Sequence, residues 1–88
     1  MGRPLTRQER SYFNALLASV PMGRPYQLVE VHESGITRLA SADSVGALMV
    51  GKPGVGKKIM VVNKNEMTIE WEKEGPPLRV PLPYSYSA

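Results

Sequence analysis

The N-terminal part of the chain carries a helical pattern of apolar and polar positions. Apolar residues recur there at intervals of three and four, which is the spacing of one helix face. These residues are Phe13, Leu16, Leu17 and Val20. Thr6 and Glu9 have the spacing of a capping box, in which each side chain accepts a hydrogen bond from the other residue's backbone amide. Because Pro21 disfavours helical geometry at the residue before it, the sequence predicts a helix over about residues 7–19.

From Tyr26 onward, short apolar runs alternate with turn residues, which is the pattern of a β protein. The clearest strand lies at residues 67–71. Met67, Ile69 and Trp71 alternate there with polar residues and are expected to share one buried face. Further strands are predicted between Tyr26 and the Ser34-Gly35 turn, and over residues 36–39, 59–62 and 78–82.

These elements predict a mainly β protein with one N-terminal helix, an α+β arrangement of roughly four to six short strands. The strands are expected to form a small antiparallel barrel or a curled sheet, and an SH3-like barrel is the nearest common architecture. Residues 41–50 fit either a short helix or a buried strand. Since Pro81 lacks an amide hydrogen, the last strand is expected at an edge. The expected organisation is a single domain at 1–82, with the helix at about 7–19 and a β-rich part at 26–82, and a flexible tail at 83–88.

The composition fits one small globular domain. The chain has 88 residues, of which 42% are hydrophobic and 22% are charged, and this apolar content is that of a protein with a folded core. The absence of cysteine excludes disulfides, a thiolate nucleophile and cysteine-ligated zinc. No apolar run approaches the roughly 20 residues that span a bilayer, and no apolar signal segment is found at the N-terminus. The sequence therefore predicts a cytoplasmic protein without membrane contact.

The segment from Gly51 to Lys58 resembles a phosphate-binding loop up to its lysine, Lys57. In such a loop the next residue is Ser or Thr, whose hydroxyl binds magnesium, but here it is Lys58. The loop also opens a helix in nucleotide-binding proteins, whereas residues 59–62 favour a strand. The sequence therefore predicts a hairpin loop that binds no nucleotide, and it implies no cofactor.

The same segment carries the main predicted binding residues. Four lysines lie within residues 51–64 with no acidic residue between them, and hairpin tips would present them to phosphates or to an acidic protein surface. Four further candidates have aromatic or guanidinium groups that suit an exposed contact surface. The full set is Lys52, Lys57, Lys58, Lys64, Arg24, Tyr26, Tyr84 and Tyr86. Whether the lysine loop binds a partner or only connects two strands is left open by the sequence.

His32 is the one histidine of the chain, and Glu30 and Glu33 lie near it in the sequence. A metal site usually takes three or four ligands, and a catalytic site needs a nucleophile and a base in fixed geometry. Ser34 is a nearby hydroxyl, but this proximity alone does not indicate catalysis. We therefore expect an exposed histidine, no catalytic residues and no metal ligands.

The sequence thus predicts a non-enzymatic binding protein that acts by occupying the surface of a protein partner. One form of that function is a phage or mobile-element protein that modulates a host complex. The alternative is a nucleic-acid-binding β-barrel that uses the basic loop at residues 51–64. A second alternative is a self-associating structural subunit such as a homodimer, because a small sheet with open edges pairs readily.

Overall fold

The computed structural model describes residues 2–77, which form one helix packed on a five-stranded sheet. The elements in chain order are β1 (Arg3–Pro4), α1 (Arg7–Ser19), β2 (Tyr26–His32), β3 (Gly35–Ala42), a short 3₁₀-helix (Gly46–Leu48), β4 (Lys58–Asn63) and β5 (Thr68–Glu74). The fold is mainly β with one N-terminal helix, as the sequence predicts. The strand predicted at 78–82, together with Tyr84 and Tyr86, lies outside the described residues.

Helix α1 has the predicted bounds because local chemistry sets both of its ends. The backbone amide of Thr6 donates to Glu9 Oε1 (2.9 Å) and the amide of Glu9 donates to Thr6 Oγ1 (3.2 Å), which confirms the capping box. At the other end Val20 is extended, with φ −129° and ψ 124°, immediately before Pro21. Phe13 is fully buried and packs the helix onto the sheet.

Neighbouring strands of the sheet are all antiparallel, in the order β1-β5-β4-β2-β3. Within the described part of the chain β1 and β3 each pair on one side, so the sheet has two edges. Of the two forms that the sequence allows, the closed barrel is therefore not observed in the described residues, and the open sheet agrees with the second form, a curled sheet. Helix α1 covers one face of this sheet, where it lies beside β3 and its Phe13 is buried among side chains of β2, β4 and β5.

Two apolar clusters lie on the two faces of the sheet, and β2 and β4 contribute to both. The cluster beneath α1 contains Leu5, Phe13, Val29, Met60, Val62 and Ile69. The opposite cluster contains Leu28, Leu48, Ile59 and Val61. Because side chains alternate across a strand, the continuous apolar run at 59–62 supplies buried residues to both faces.

Trp71 and Ile69 lie on different faces of the sheet, although the alternation along β5 predicts a shared face. Ile69 packs beneath α1, whereas Trp71 is half-buried against the opposite cluster. The pairing with β4 is irregular here, since Val61 pairs with Trp71 and Val62 with Ile69. Glu70 is thus an extra residue in a bulge, and one extra residue turns the side chains that follow to the other face.

Residues 41–50, which the sequence assigned to either a short helix or a strand, contain the end of β3 followed by a bend and a 3₁₀-helix. Strand β3 extends to Ala42, beyond the predicted end at Leu39, and the 3₁₀-helix follows after a short bend. The alternative of a buried strand at 47–50 is therefore wrong. Leu48 is the buried residue of that run, and it packs with the opposite cluster.

Candidate functional site

The loop at residues 49–57, which joins the 3₁₀-helix to β4, is held against the sheet. It is not the predicted hairpin loop, because β3 and β4 each pair with β2 and not with each other. Gly51 lies over the opposite cluster, where an added Cβ would be 3.1 Å from Ile59 Cδ1 and 3.2 Å from Leu28 Cδ2. Near its other end, the backbone amide of Gly56 donates to the carbonyl oxygen of Pro76 (2.7 Å). The 49–57 loop therefore presents its side chains from an anchored backbone.

Gly75 permits the closest approach between this loop and the chain that follows β5. Its amide donates to the carbonyl oxygen of Lys57 (2.8 Å), and a Cβ at this position would collide with the carbonyl oxygen of Gly54. The amide of Lys57 also donates within the loop, to Gly54 (3.1 Å). Gly56 has a φ of 71°, which favours glycine. These amides bind protein carbonyls, and strand β4 follows the loop as predicted, so the geometry is not that of a phosphate-binding loop.

Three large apolar side chains of the 49–57 loop are exposed. Val50 is 81% exposed, Val55 is 57% exposed and Met49 is 46% exposed. Elsewhere in residues 2–77 the exposed large apolar side chains are Leu17 and Leu39. Single exposed apolar side chains are ordinary on protein surfaces, whereas this loop holds three of the five large ones exposed in the described residues.

The structure separates the four predicted lysines. Lys64 follows β4 whereas Lys58 begins it, and a strand of this length places the two roughly 20 Å apart. Lys57 Nζ lies 3.8 Å from Glu30 Oε1. Lys52 is exposed and forms no ion pair with a residue in the range 2–77. As far as residues 2–77 show, the loop therefore carries one lysine without an acidic partner, Lys52, and one that is partly neutralised, Lys57.

Lys58 belongs to an ion-pair network beneath the N-terminus of α1. Its Nζ lies 3.3 Å from Glu72 Oε1 and 3.7 Å from Glu9 Oε2. Arg3 bridges the same two carboxylates, because its Nε donates to Glu72 (2.8 Å) and its Nη1 to Glu9 (3.0 Å). Hydrogen bonds from Arg3 lower the pKa of Glu9 to about 2 and also lower the pKa of Glu72. Lys58 thus joins structural elements, and its charge is balanced by acids.

Arg24, Tyr26 and Lys64 lie near one another at the opposite end of β4. Tyr26 pairs across the sheet with Asn63, and the backbone amide of Lys64 donates to the carbonyl oxygen of Pro25 (2.9 Å). Tyr26 is half-buried against the opposite cluster. The guanidinium of Arg24 instead donates to an exposed carboxylate, Asp43 Oδ2, at 2.8 Å. The predicted binding residues within the described range therefore form two groups at two ends of the sheet.

His32 ends β2 with both ring nitrogens next to hydroxyl groups. Nδ1 lies 3.0 Å from Ser34 Oγ, and Nε2 lies 3.0 Å from Thr37 Oγ1. Shallow open clefts adjoin the ring, and Glu33 and Lys57 line two of them. Among the described residues no carboxylate hydrogen-bonds the ring, so the imidazole lacks the orienting acid of a catalytic triad.

Residues 2–77 also show neither a metal-binding cluster nor a membrane-spanning helix. Residues 2–77 contain no cluster of three or more His, Asp or Glu side chains placed to hold a metal ion. Neither helix in that range has the length and hydropathy needed to cross a bilayer.

Sequence reasoning missed the exposed apolar side chains of the 49–57 loop. The interpretation of this segment followed its lysines and glycines and assigned no role to Met49, Val50 or Val55. A signal was present, because apolar residues in a Gly- and Pro-rich loop have few neighbours from their own segment to cover them. Comparison with protein-family models, curated proteins and solved structures finds no match to this chain.

Proposed function

We propose that this chain is a small non-enzymatic interaction protein that binds a protein partner through the 49–57 loop. The observation that carries the proposal is the exposure of Met49, Val50 and Val55 on one anchored backbone segment. Contact with an apolar patch of the partner would remove these side chains from water. Because the backbone is already fixed, little conformational entropy remains to be lost on binding.

The charge of the loop indicates the chemistry around that apolar patch. Lys52 is exposed and lies between the exposed Val50 and Val55 in sequence, and it forms no ion pair within residues 2–77. A cation at the rim of a contact surface steers association with a partner of opposite charge. We therefore propose a cytoplasmic protein partner whose binding surface combines an apolar centre with acidic residues at its rim.

The nucleic-acid alternative has weaker support from the same geometry. Affinity for a phosphate backbone comes from several cations that track it together. Lys57 and Lys58 instead lie beside carboxylates, and Lys64 lies at the far end of β4. One free lysine in a loop with three exposed apolar side chains fits a protein surface better than a polyanion.

The first experiment is capture of binding proteins from native-host extract on the immobilised full-length chain, with identification by mass spectrometry. Val50→Asp places a charge at the most exposed apolar position, and we expect it to abolish capture of the partner. Leu17→Asp is the matched control, since Leu17 is an exposed apolar residue of α1 away from the loop in sequence. Equal capture by the wild type and the Val50→Asp variant, at equal melting temperature, would contradict the proposal.

A second experiment uses the partner identified in this way. Lys52→Ala should slow association while the dissociation rate stays nearly constant, because an exposed rim charge acts mainly on the encounter. Salt-sensitive retention on nucleic acid would favour the nucleic-acid alternative. A mass of twice the monomer in size-exclusion chromatography, lost in Val50→Asp, would assign the loop to self-association instead.

A further inference from the structure

We propose that the open edge of β3, together with the groove between β3 and α1, binds an extended segment of a protein partner as an added strand. The segment is one with apolar residues and at least one carboxylate. This surface lies outside the 49–57 loop, so the inference adds a second contact to the proposed function and does not depend on the first.

The backbone of β3 provides the first part of the surface. Gly35–Ala42 is eight residues long, and within the described chain it pairs with β2 alone, with Leu39 as an extra residue in a bulge. Four consecutive residues of this strand are exposed: Thr37, Arg38, Leu39 and Ala40. An edge strand presents a row of unpaired amide and carbonyl groups, and another extended chain satisfies them by hydrogen bonding.

A shallow groove between β3 and α1 provides the second part. From α1 it is lined by Tyr12, Ala15, Leu16 and Ser19, and from the sheet by Gly35 and Ile36 together with the polar side chains of His32 and Ser34 at the turn before β3. Ala15, Ser19 and Gly35 are small and leave room between the helix and the strand, while Leu16 and Ile36 are half-buried apolar residues. Since alternate side chains of an added strand point to one face of the sheet, apolar side chains of the partner would contact this groove.

The charge of Arg38 indicates which charge the bound partner segment should carry. It is the one charged residue of β3, and it is exposed. Its Nη1 donates to the carbonyl oxygen of Pro21 (3.0 Å), and no carboxylate of residues 2–77 forms an ion pair with it. Leu39, which is 48% exposed, follows directly. An opposite charge placed across two paired strands is favourable, so a glutamate or aspartate opposite Arg38 fits best.

The test uses a synthetic seven-residue peptide of alternating valine and threonine with a central glutamate, acetylated and amidated at its ends. It is titrated into the ¹⁵N-labelled full-length chain. We expect chemical-shift changes concentrated at Gly35–Ala42 and on the groove face of α1, together with slower amide exchange in β3. Arg38→Glu should weaken binding about tenfold, and a peptide with lysine in place of glutamate should restore it.

Two variants control for indirect effects. Arg7→Glu reverses an exposed arginine at the start of α1, outside β3 and outside the lining of the groove, and should leave peptide binding unchanged. Val50→Asp should also leave it unchanged, which separates this inference from the proposal for the 49–57 loop. The melting temperature of each variant shows that the fold is retained.

Three results would overturn the inference. The first is shift changes elsewhere than β3 and α1, or none at all. The second is slow exchange, in the chain without peptide, of the β3 amides that face away from β2, together with no peptide binding. That result would mean that the chain covers its own edge. The third is a concentration-dependent dimer that Arg38→Glu dissociates, which would mean that a second copy occupies the edge.

Discussion

The two edges of the sheet differ in how the chain closes them. The β1 edge is two residues long and contains Pro4, which has no amide hydrogen to offer another strand. The β3 edge is eight residues long and contains no proline. Short strands and proline are two of the means by which proteins prevent edges from pairing, and bulges and charged side chains are others. The β1 edge is therefore protected by its length and by proline, whereas within residues 2–77 the β3 edge is unpaired on one side and has only the bulge at Leu39 and the charge of Arg38 against pairing.

The arginines at the two edges also differ in whether they contact carboxylates. On the β1 side, Arg3 hydrogen-bonds Glu9 of α1 and Glu72 of β5, so the edge strand is tied to the helix and to its neighbour. On the β3 side, Arg38 contacts a backbone carbonyl and forms no ion pair within residues 2–77. The carboxylates around Arg3 tie the β1 edge to its neighbours, whereas Arg38 has no carboxylate partner among residues 2–77, and for this reason we propose that it binds a carboxylate of another molecule.

The largest expected difference between the edges is in apolar anchoring. Leu5, directly after β1, is 6% exposed and packs into the cluster beneath α1. Leu5→Ala should lower the free energy of unfolding by about 2–4 kcal/mol, because it removes buried contacts and leaves a cavity. Leu39→Ala on the exposed β3 edge should change it by less than about 0.5 kcal/mol. Urea denaturation measures both, and equal effects would contradict the contrast.

The two edge arginines provide the next comparison. Arg3→Ala leaves Glu9 and Glu72 without their main hydrogen-bond donor, and we expect a loss of about 1–2 kcal/mol in the free energy of unfolding. Arg38→Ala removes no ion pair within the described chain, so we expect the free energy of unfolding to change by less than about 0.5 kcal/mol. Amide exchange should accelerate in β1 and β5 for Arg3→Ala alone. Comparable destabilisation by the two substitutions would show that the β3 edge is also tied down.

Features that depend on neighbouring residues were predictable from the sequence. The helix bounds follow from Thr6, Glu9 and Pro21, which act within one turn of the helix ends. The hairpin turn between β4 and β5 also follows local chemistry, since Asn63 Oδ1 accepts hydrogen bonds from the amides of Asn65 (3.0 Å) and Glu66 (3.2 Å). Such contacts span at most a few residues, so a short sequence window contains all of their partners.

Features that join distant residues were not predictable in the same way. Lys58 resembles its lysine neighbours in the sequence, but its acidic partners lie on α1 and β5. The face of Trp71 depends on one bulged residue in a pairing with β4, which the alternation of β5 does not contain. Whether the sheet is open depends on which strands lie at its edges. Those positions are set by pairing between residues far apart in the sequence. The exposure of Val50 was also not predictable, because it depends on which distant residues pack against the loop.

Acid should destabilise the fold in part by protonating Glu9, which is hydrogen-bonded to Arg3 of β1. The pKa of Glu9 falls from its ordinary 4.5 to about 2 in the folded chain, chiefly because Arg3 hydrogen-bonds it. Folding is therefore favoured by this carboxylate above pH 4.5, and the stabilisation is lost as the pH falls towards 2. Glu9→Gln should flatten the decline of the unfolding free energy between these pH values. Glu66→Gln is the control, since Glu66 is exposed and forms no ion pair in the described part of the chain.

The smallest expected effect separates two lysines that the sequence groups together. Lys58 lies in the network that closes the β1 edge, and its side chain is 25% exposed, whereas Lys52 is exposed in the 49–57 loop. Lys58→Ala should lower the free energy of unfolding by about 0.5–1 kcal/mol, with a smaller loss at high salt because ions screen the pairs it forms. Lys52→Ala should leave stability unchanged, since an exposed lysine without an ionic partner contributes little. Thermal unfolding at low and high salt measures both. If both lysines proved neutral at low salt, the closure of the β1 edge would rest on Arg3 alone.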